Sequence, residues 1–362
     1  MSGAEASAKA VARRADAGQR PLLEISELQV TYWRRSLLGL RSGAFHAVRG
    51  ASLSIHAGET LGLVGESGSG KSSIANAVLG LVPSSGGSIR FADHDLGAMK
   101  KGYPPVVRSQ IQAVFQDPYS SLNPSMTVED IVTEPLRVHS TLDRKARRAA
   151  AVELLRRVSL SEEHLQRHPH QFSGGQRQRI AIASALALQP KLIVLDEPVS
   201  ALDVSTQNQI INLLYERRDA LGMAYLLIAH DLALVHHIAD RIAVMYLGHI
   251  VEIGPSERVF KSPAHPYTRA LLDAVPLLDP QLQRQRRAAR NSAATSDAAR
   301  VADTGCPYRN RCVHAMPQCA RAMPPAYPVP DGGTANCYLL APTPDATGMP
   351  PANGGQRPGS AS

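Results

Sequence analysis

Two kinds of segment alternate along most of this chain. Short, nearly continuous apolar runs are typical of buried β-strands, and segments with apolar residues three or four positions apart are typical of amphipathic helices. Their alternation predicts an α/β fold with a mostly parallel sheet. The predicted strands are residues 22–32, 47–56, 60–64, 88–91, 110–115, 192–196, 225–229, 241–246 and 249–253.

The predicted helices are unevenly distributed. Three of them follow one another between about residues 117 and 172, where no strand is predicted, which indicates a helical insertion in the α/β core. Asp143 is the predicted N-cap of the second of these three. The predicted helices are residues 73–80, 127–136, 144–158, 161–167, 174–188, 204–221, 231–238 and 267–275.

The remaining segments show neither the apolar runs of strands nor the apolar spacing of helices. Residues 33–45 are predicted to be a long, basic connection between two strands. Residues 1–20 are rich in Ala and Arg, and residues 341–362 in Pro, Gly and Ala, so both ends are predicted to be disordered. The main domain therefore covers residues 21–275, and a small tail covers residues 276–340.

Composition and charge change this picture little. The chain has 362 residues, 44% of them hydrophobic, and a formal net charge of +8. A positive charge of this size is compatible with binding to nucleic acid, with binding to an anionic membrane, or with an ordinary solvated surface. Charge alone therefore does not identify the partner. No apolar run approaches the roughly 18 residues that span a bilayer, and the N-terminus lacks the apolar stretch of a signal peptide. We therefore expect a soluble, cytoplasmic protein.

A glycine-rich loop between the strand 60–64 and the helix 73–80 fits the pattern G-x-x-x-x-G-K-[ST]. Its glycines let backbone N–H groups face a phosphate chain, and the helix N-terminus favours an anion there. Lys71 is expected to reach the outer phosphates of a nucleotide, and the Ser72 hydroxyl to bind Mg²⁺. The expected nucleotide-binding residues are Gly65, Glu66, Ser67, Gly68, Ser69, Gly70, Lys71, Ser72 and Ser73.

A second pair of candidate residues ends the apolar strand 192–196. Asp196 is expected near the Mg²⁺ held by Ser72, and Glu197 is placed to polarise a water for attack on the γ-phosphate. Apolar strands that end in acidic residues are common, so taken alone this pair equally suits a charged turn. The phosphate loop upstream favours the catalytic interpretation.

A glycine pair opens the predicted helix 174–188 and could bind a further anion at its N-terminus. The segment consists of Phe172, Ser173, Gly174, Gly175 and Gln176, followed by Arg-Gln-Arg-Ile-Ala-Ile-Ala. It resembles the signature of ATP-binding cassette (ABC) ATPases, with Phe172 in place of the more usual Leu. The resemblance implies a P-loop NTPase fold with a RecA-like, mostly parallel core, an antiparallel β subdomain and a helical subdomain. It also implies a dimer in which the signature of one subunit serves the ATP of the other.

Further residues match family motifs in the expected order, over about residues 22–275. The resemblance implies that Gln116 senses Mg²⁺ and faces membrane subunits, and that His230 contacts the γ-phosphate. It assigns Asp203 to the loop that links the two ATP sites, and Tyr32 to stacking on adenine, a role that Trp33 could also take. By the same resemblance, Lys71, Gln116, Glu197 and His230 form the catalytic set.

Two stretches resemble one branch of the family, the importers of oligopeptides, dipeptides and nickel. They are residues 116–124 and residues 265–272, the second followed by a cysteine-bearing tail. The branch implies two membrane permeases, an indirect extracytoplasmic solute-binding protein, and attachment to the cytoplasmic face of the membrane. Residues 33–45 resemble the second of the two ATPase subunits that such systems encode. Peptide, nickel, glutathione and opine systems share these motifs, so the solute stays open.

All four cysteines lie in the tail and are spaced C-x5-C-x6-C-x17-C, as Cys306, Cys312, Cys319 and Cys337. Four neighbouring thiols in a reducing compartment suggest a metal site. The spacing matches neither a zinc ribbon nor the usual ferredoxin run. Branch members with this tail resemble iron–sulfur carriers, which favours a structural [4Fe–4S] cluster over zinc. Free structural thiols are the third alternative.

Two rival functions follow from features outside the nucleotide motifs. The net charge would suit a soluble ABC ATPase that acts on nucleic acid or ribosomes. Such proteins usually have two cassettes or a long coiled-coil insertion, whereas this chain has one cassette and no sustained heptads between Ser73 and Phe172. The cysteine tail would suit a redox or metal sensor. The basic segment 284–290 is expected to be a solvated tether or to contact lipid headgroups or a permease.

Overall fold

The computed structural model describes residues 20–35, 41–99, 102–117, 121–200, 202–274 and 304–342. The predicted disorder of residues 1–19 and 343–362 lies outside the described residues, as does the basic segment 284–290.

The described residues form twelve strands and ten α-helices. The strands are β1 Leu23–Arg35, β2 Arg41–Ile55, β3 Thr60–Val64, β4 Gly86–Phe91, β5 His94–Asp95, β6 Ile111–Val114, β7 Leu192–Asp196, β8 Ala224–Ala229, β9 Arg241–Tyr246, β10 His249–Pro255, β11 Tyr327–Pro328 and β12 Thr334–Ala335. The α-helices are α1 Lys71–Val78, α2 Pro105–Gln110, α3 Val128–His139, α4 Arg144–Arg157, α5 Gly174–Leu186, α6 Val204–Leu221, α7 Leu232–His236, α8 Ser256–Lys261, α9 Pro266–Asp273 and α10 Gln318–Arg321.

The larger sheet is mostly parallel and has the order β11-β12-β10-β9-β3-β8-β7-β6. Its central strands are buried on both faces. In β7, Leu192 and Val194 pack with α1 and the smaller sheet, whereas Ile193 and Leu195 pack with the helices on the other side. The continuous apolar run that predicted this strand therefore reflects burial from both sides.

The smaller sheet is antiparallel and has the order β2-β1-β4-β5. Here the prediction of a connection over residues 33–45 was wrong, because β1 runs on to Arg35 and β2 begins at Arg41. The pairing of Trp33 with Ala44 and of Tyr32 with Phe45 extends the hairpin. Backbone pairing across the ladder forms these strands although their side chains do not alternate in polarity.

The helical insertion follows the prediction except at its end. Asp143 caps α4 by accepting a hydrogen bond from the Ala146 N–H at 2.7 Å, as expected. The predicted helix 161–167 is reduced to the single 3₁₀ turn Glu162–His164. The carbonyls of Leu165 and Arg167 accept hydrogen bonds from the first N–H groups of α3, so they are not available to continue a helix.

The described tail, residues 304–342, joins the main domain through backbone and side chains. Strand β12 pairs with β10, where Glu252 faces Ala335 and Ile253 faces Thr334. Cys306, Tyr308 and Cys319 belong to the same hydrophobic cluster as the parallel sheet. These two-residue strands have no hydrophobic period, so the sequence did not predict the pairing. The predicted α/β fold, with a mostly parallel core, an antiparallel sheet and a helical insertion, is confirmed.

Candidate functional site

Four segments with predicted site residues leave the same edge of the larger sheet. Parallel strands β3, β8, β7 and β6 are neighbours in that order, and their carboxyl ends lie together. The phosphate loop follows β3, Glu197 follows β7, His230 follows β8 and Gln116 comes two residues after β6. Ligands of open α/β sheets bind at this edge, so the topology gathers the predicted residues.

The phosphate loop depends on glycine where it enters α1. Gly70 has φ 108°, and a Cβ there would lie 2.3 Å from the Ala47 carbonyl oxygen. Lys71 folds back over the loop, and its Nζ donates to the carbonyls of Gly65 at 2.8 Å and Glu66 at 3.0 Å. Burial lowers the pKa of Lys71, and the charges of Glu197, Asp196 and Glu66 oppose this shift. The ammonium is thus held in a loop built for an anion.

Ser72 and Asp196 meet at the start of α1. The Ser72 hydroxyl donates to Asp196 Oδ1 at 3.3 Å. Burial raises the pKa of Asp196, and the hydrogen bond from Ser72 opposes the rise. A hydroxyl beside a partly buried carboxylate suits a hard divalent cation such as Mg²⁺, which prefers oxygen ligands and offsets the cost of burying the negative charge.

Glu197 has an unusual backbone conformation for its residue type. Its φ of 47° lies in the left-handed region, and its N–H donates to the Ile228 carbonyl at 3.0 Å. The side chain is held from two sides: Gln116 Nε2 donates to Oε2 at 3.0 Å, and His230 Nδ1 lies 3.4 Å from the same oxygen. Such conformations persist only where the surrounding structure enforces them. They are found most often at functional sites.

Tyr32 lies beside the phosphate loop in the structure. Its hydroxyl donates to Ser73 Oγ at 3.3 Å, and 37% of the residue is exposed. Its neighbour Trp33 is 52% exposed. The contact with Ser73 ties the edge of the smaller sheet to α1 and leaves an aromatic surface next to the loop.

The signature segment forms the N-terminus of α5. Ser173 Oγ accepts from the Gln176 N–H at 3.3 Å, and Gln176 Oε1 accepts from the Ser173 N–H at 3.1 Å, a reciprocal capping box. Gly175 packs closely on α6, since a Cβ there would lie 2.3 Å from Thr206 Cγ2. Asp203 caps α6 by accepting from the Thr206 N–H at 3.0 Å. The signature and the Asp203 loop are thus packed together, a contact that the sequence did not reveal.

The four cysteines line one pocket in the tail, together with apolar side chains such as Met316 and Pro324. Cys306, Cys319 and Cys337 are buried, and all four thiols are free. Burial raises the pKa of Cys306 to about 11. Among the described residues, no group of three or more His, Cys, Asp or Glu side chains is arranged to hold a metal ion.

Tyr267 is a contact of the phosphate loop that sequence reasoning missed. Its buried hydroxyl accepts a hydrogen bond from the Glu66 N–H at 2.9 Å. His265, the N-cap of α9, accepts from the Tyr267 N–H through Nδ1 at 3.0 Å. Both residues lie in the stretch 265–272, which resembled the importer branch. That resemblance was the available signal, although it did not say what the residues touch.

Comparison with known families gives two matches along the chain. Residues 48–200 match the ABC transporter family, and residues 251–319 match the C-terminal region of oligopeptide/dipeptide transporters. The first match begins in β2 and ends after β7, so it includes the phosphate loop, the signature and the acidic strand. The second begins in β10 and includes Tyr267, Arg311 and three of the four cysteines.

Several curated relatives align over most of this chain. The oligopeptide transport ATP-binding protein OppF of Escherichia coli (strain K12) is 45% identical over 311 residues, 85% of this chain and 93% of its own. The putative oligopeptide transport ATP-binding protein YkfD of Bacillus subtilis (strain 168) is 42% identical over 88% of this chain and 95% of its own. The glutathione import ATP-binding protein GsiA of Escherichia coli (strain K12) is 52% identical over 74% of this chain and 43% of its own.

Solved structures agree on the fold. A dimeric ATP-binding cassette in a post-hydrolysis state with ADP and Pi has a TM-score of 0.58 and 28% identity, over 65% of this chain and 98% of its own. The protein cbiO1 of Clostridium perfringens, part of an ABC transporter complex, has a TM-score of 0.59 and 28% identity, over 74% of this chain and 100% of its own.

The fold and the site together define a P-loop ATPase of the cassette type. The chain belongs to the ABC transporter ATP-binding family, and its C-terminal region is that of oligopeptide/dipeptide transporters. The rival function on nucleic acid or ribosomes is not favoured by these matches. None of the helices in the described part of the chain has the length and hydropathy of a membrane-spanning segment.

Proposed function

We propose that this chain hydrolyses ATP to energise an ABC importer of oligopeptides, dipeptides or related small solutes. The observation that carries the proposal is the Glu197 carboxylate, held by Gln116 and His230 at the sheet edge where the phosphate loop presents Lys71. Relatives that align over most of the chain are oligopeptide transport ATP-binding proteins, which supports the solute class.

In this proposal the phosphates of ATP lie in the loop from Gly65 to Ser73, and Tyr32 stacks on adenine. Lys71 exchanges its hydrogen bonds to loop carbonyls for the outer phosphates, to which it brings a positive charge. Ser72, Asp196 and Gln116 would hold Mg²⁺, which neutralises charge on the β- and γ-phosphates. Each of these side chains already lies at the same sheet edge.

Glu197 acts as the general base. Its carboxylate accepts a proton from a water as that water attacks the γ-phosphorus, and the bond to the bridging oxygen of ADP breaks. Gln116 and His230 fix the carboxylate against rotation, which preserves its alignment with the water. His230 lies on the exposed side of Glu197, where its imidazole can also contact the γ-phosphate.

The active unit is a dimer with ATP at its interface. Ser173, Gly174, Gly175 and Gln176 form a partly exposed helix N-terminus that can bind the phosphates of an ATP held by a second ATPase subunit. Asp203 connects the two sites, since its loop packs on the signature through Thr206. The solved cassette bound to ADP and Pi is dimeric, which supports this arrangement.

The remaining partners follow from the importer assignment. Two permeases bind the cassettes near Gln116 and the helical insertion, and place this chain at the cytoplasmic face of the membrane. A solute-binding protein delivers the solute on the other side. The chain is the second of two ATPase subunits, a role that the resemblance of residues 33–45 to such subunits supports.

Deletion of the gene tests the importer assignment. Uptake of a labelled dipeptide and a labelled tetrapeptide is expected to fall to background and to return with the wild-type chain, but not with Glu197→Gln. Glu216→Gln, an exposed carboxylate on α6, is the matched control and is expected to restore uptake. Full peptide uptake in the deletion strain, with ATPase activity of the purified chain intact, would contradict the solute class alone.

We further propose that Cys306, Cys312, Cys319 and Cys337 hold a [4Fe–4S] cluster with a structural role. Four cysteines around one pocket fit the cluster chemistry, because clusters are held by four thiolates. A cluster is wider than one ion, so its ligands need not satisfy the geometry of a single-ion site such as zinc. The cluster would offset the cost of burying several thiolates and would stabilise a small tail that has little hydrophobic core of its own.

Anaerobic purification tests this second proposal. We expect a brown protein with absorption near 400 nm and about four iron and four sulfide per chain. The variant Cys319→Ser is expected to lose the colour, and Ser140→Ala, far from the tail in sequence, serves as the control. A colourless, iron-free wild-type protein from an anaerobic preparation would exclude the cluster and leave free thiols.

A further inference from the structure

Glu66 places a negative charge inside a loop that binds anions. It is the second residue of the phosphate loop, and its side chain is 44% exposed. Its negative charge acts on Lys71, where it opposes the lowering of the lysine pKa by burial. A carboxylate beside a triphosphate would weaken binding by repulsion unless a cation neutralises it.

Arg311 of the tail supplies that cation. Its Nη1 donates to both carboxylate oxygens of Glu66, at 3.0 Å each, although the two residues are 245 positions apart in the sequence. The guanidinium lies over two aromatic rings, with Cζ 5.6 Å from the centroid of Tyr308 and 5.9 Å from that of Tyr246. These cation–π contacts hold the arginine toward the loop.

The backbone of Glu66 is fixed by the same group of aromatic residues. The Tyr267 hydroxyl accepts the Glu66 N–H, and the Tyr267 ring lies 4.5 Å from Tyr246 and 5.4 Å from Tyr308. Tyr246 ends β9, Tyr267 is on α9 and Tyr308 is in the tail. Both the charge and the backbone of Glu66 are therefore held by the C-terminal part of the chain.

We propose that Arg311 is a positioning residue for the ATP site, through which the tail sets the affinity of the phosphate loop for ATP. It neutralises Glu66 and holds the carboxylate on the tail side of the loop. The inference rests on the proposed binding of ATP at this loop. It predicts that Arg311 acts on ATP binding and not on the chemical step, because it contacts neither Glu197 nor the residues that hold Glu197.

The test uses the full chain and measures the Kd for Mg²⁺-ATP, with KM and kcat for hydrolysis. Arg311→Ala is expected to raise Kd and KM up to about fivefold with kcat unchanged, because an exposed ion pair is weak. The increase should shrink as salt screens the charges, between about 0.05 and 0.5 M. Arg321→Ala, an exposed arginine of the same tail, is the matched control and should leave Kd at the wild-type value.

Glu66→Gln separates charge from packing. In the double variant Glu66→Gln/Arg311→Ala, the Kd is expected to return to that of Glu66→Gln alone, because no unneutralised carboxylate remains. An unchanged Kd in Arg311→Ala would overturn the inference, and so would a double variant as weak as Arg311→Ala. Lys71→Ala separates failure of this inference from failure of the proposed function. If Lys71→Ala binds ATP as tightly as the wild-type chain, the phosphate loop is not the ATP site.

Discussion

The Glu197→Gln variant is expected to bind ATP as tightly as the wild-type chain and to hydrolyse it at least about a hundredfold more slowly. The amide keeps the size of the side chain but cannot accept a proton from water. Because ATP then stays bound, the closed dimer should accumulate. Steady-state phosphate release gives the rate, and size-exclusion chromatography with ATP gives the dimer.

The control for this experiment is Glu216→Gln, a carboxylate on the exposed side of α6 that is 65% accessible at its side chain. It should hydrolyse ATP at the wild-type rate. A Glu197→Gln protein that is folded, binds ATP and turns it over at a near-normal rate would refute the general-base role. Attention would then move to His230, which lies 3.4 Å from the same carboxylate oxygen.

Replacement of Lys71 by Ala is expected to weaken ATP binding at least about tenfold, because charge-assisted contacts with phosphate are among the stronger polar interactions. A second cause is structural: the ammonium cross-links the loop through the carbonyls of Gly65 and Glu66, and Ala leaves both without this donor. Equilibrium titration with a fluorescent ATP analogue measures the loss.

Lys191→Ala is the matched control, since Lys191 is exposed at the start of β7, away from the carboxyl edge of the sheet. It should bind the analogue as the wild-type chain does. Tight binding by a folded Lys71→Ala protein would show that the phosphate loop is not the nucleotide site, and the signature at α5 would become the first alternative.

The sequence predicted the central sheet and the residues of the candidate site because both predictions depend on local patterns. Mostly apolar segments of five or six residues indicated β3, β7 and β8, and the G-x-x-x-x-G-K-S spacing directly follows β3. Once these strands are parallel neighbours, Asp196, Glu197 and His230 must approach the loop. The structure adds details that the sequence pattern does not contain, such as the left-handed backbone conformation of Glu197.

Contacts between distant parts of the chain could not be predicted in this way. The ion pair of Glu66 and Arg311 joins residues that have no shared pattern, and the hydrogen bond of Tyr267 to Glu66 spans 201 positions. The hairpin of β1 and β2 depends on backbone pairing rather than side-chain period. In each case tertiary contacts decide the structure, and the local sequence is compatible with several outcomes.

The short hairpin of the tail also changes the exposure of the larger sheet to other molecules. Without β12, the seven-residue strand β10 would end the sheet with unpaired backbone groups, a template on which strands of other chains can add. With the tail in place, the outermost strand is the two-residue β11, and Pro328 within it has no N–H to donate. The opposite edge, β6, is only four residues long. The tail thus leaves both edges of the larger sheet short, and short edges offer few unpaired backbone groups to a strand of another chain.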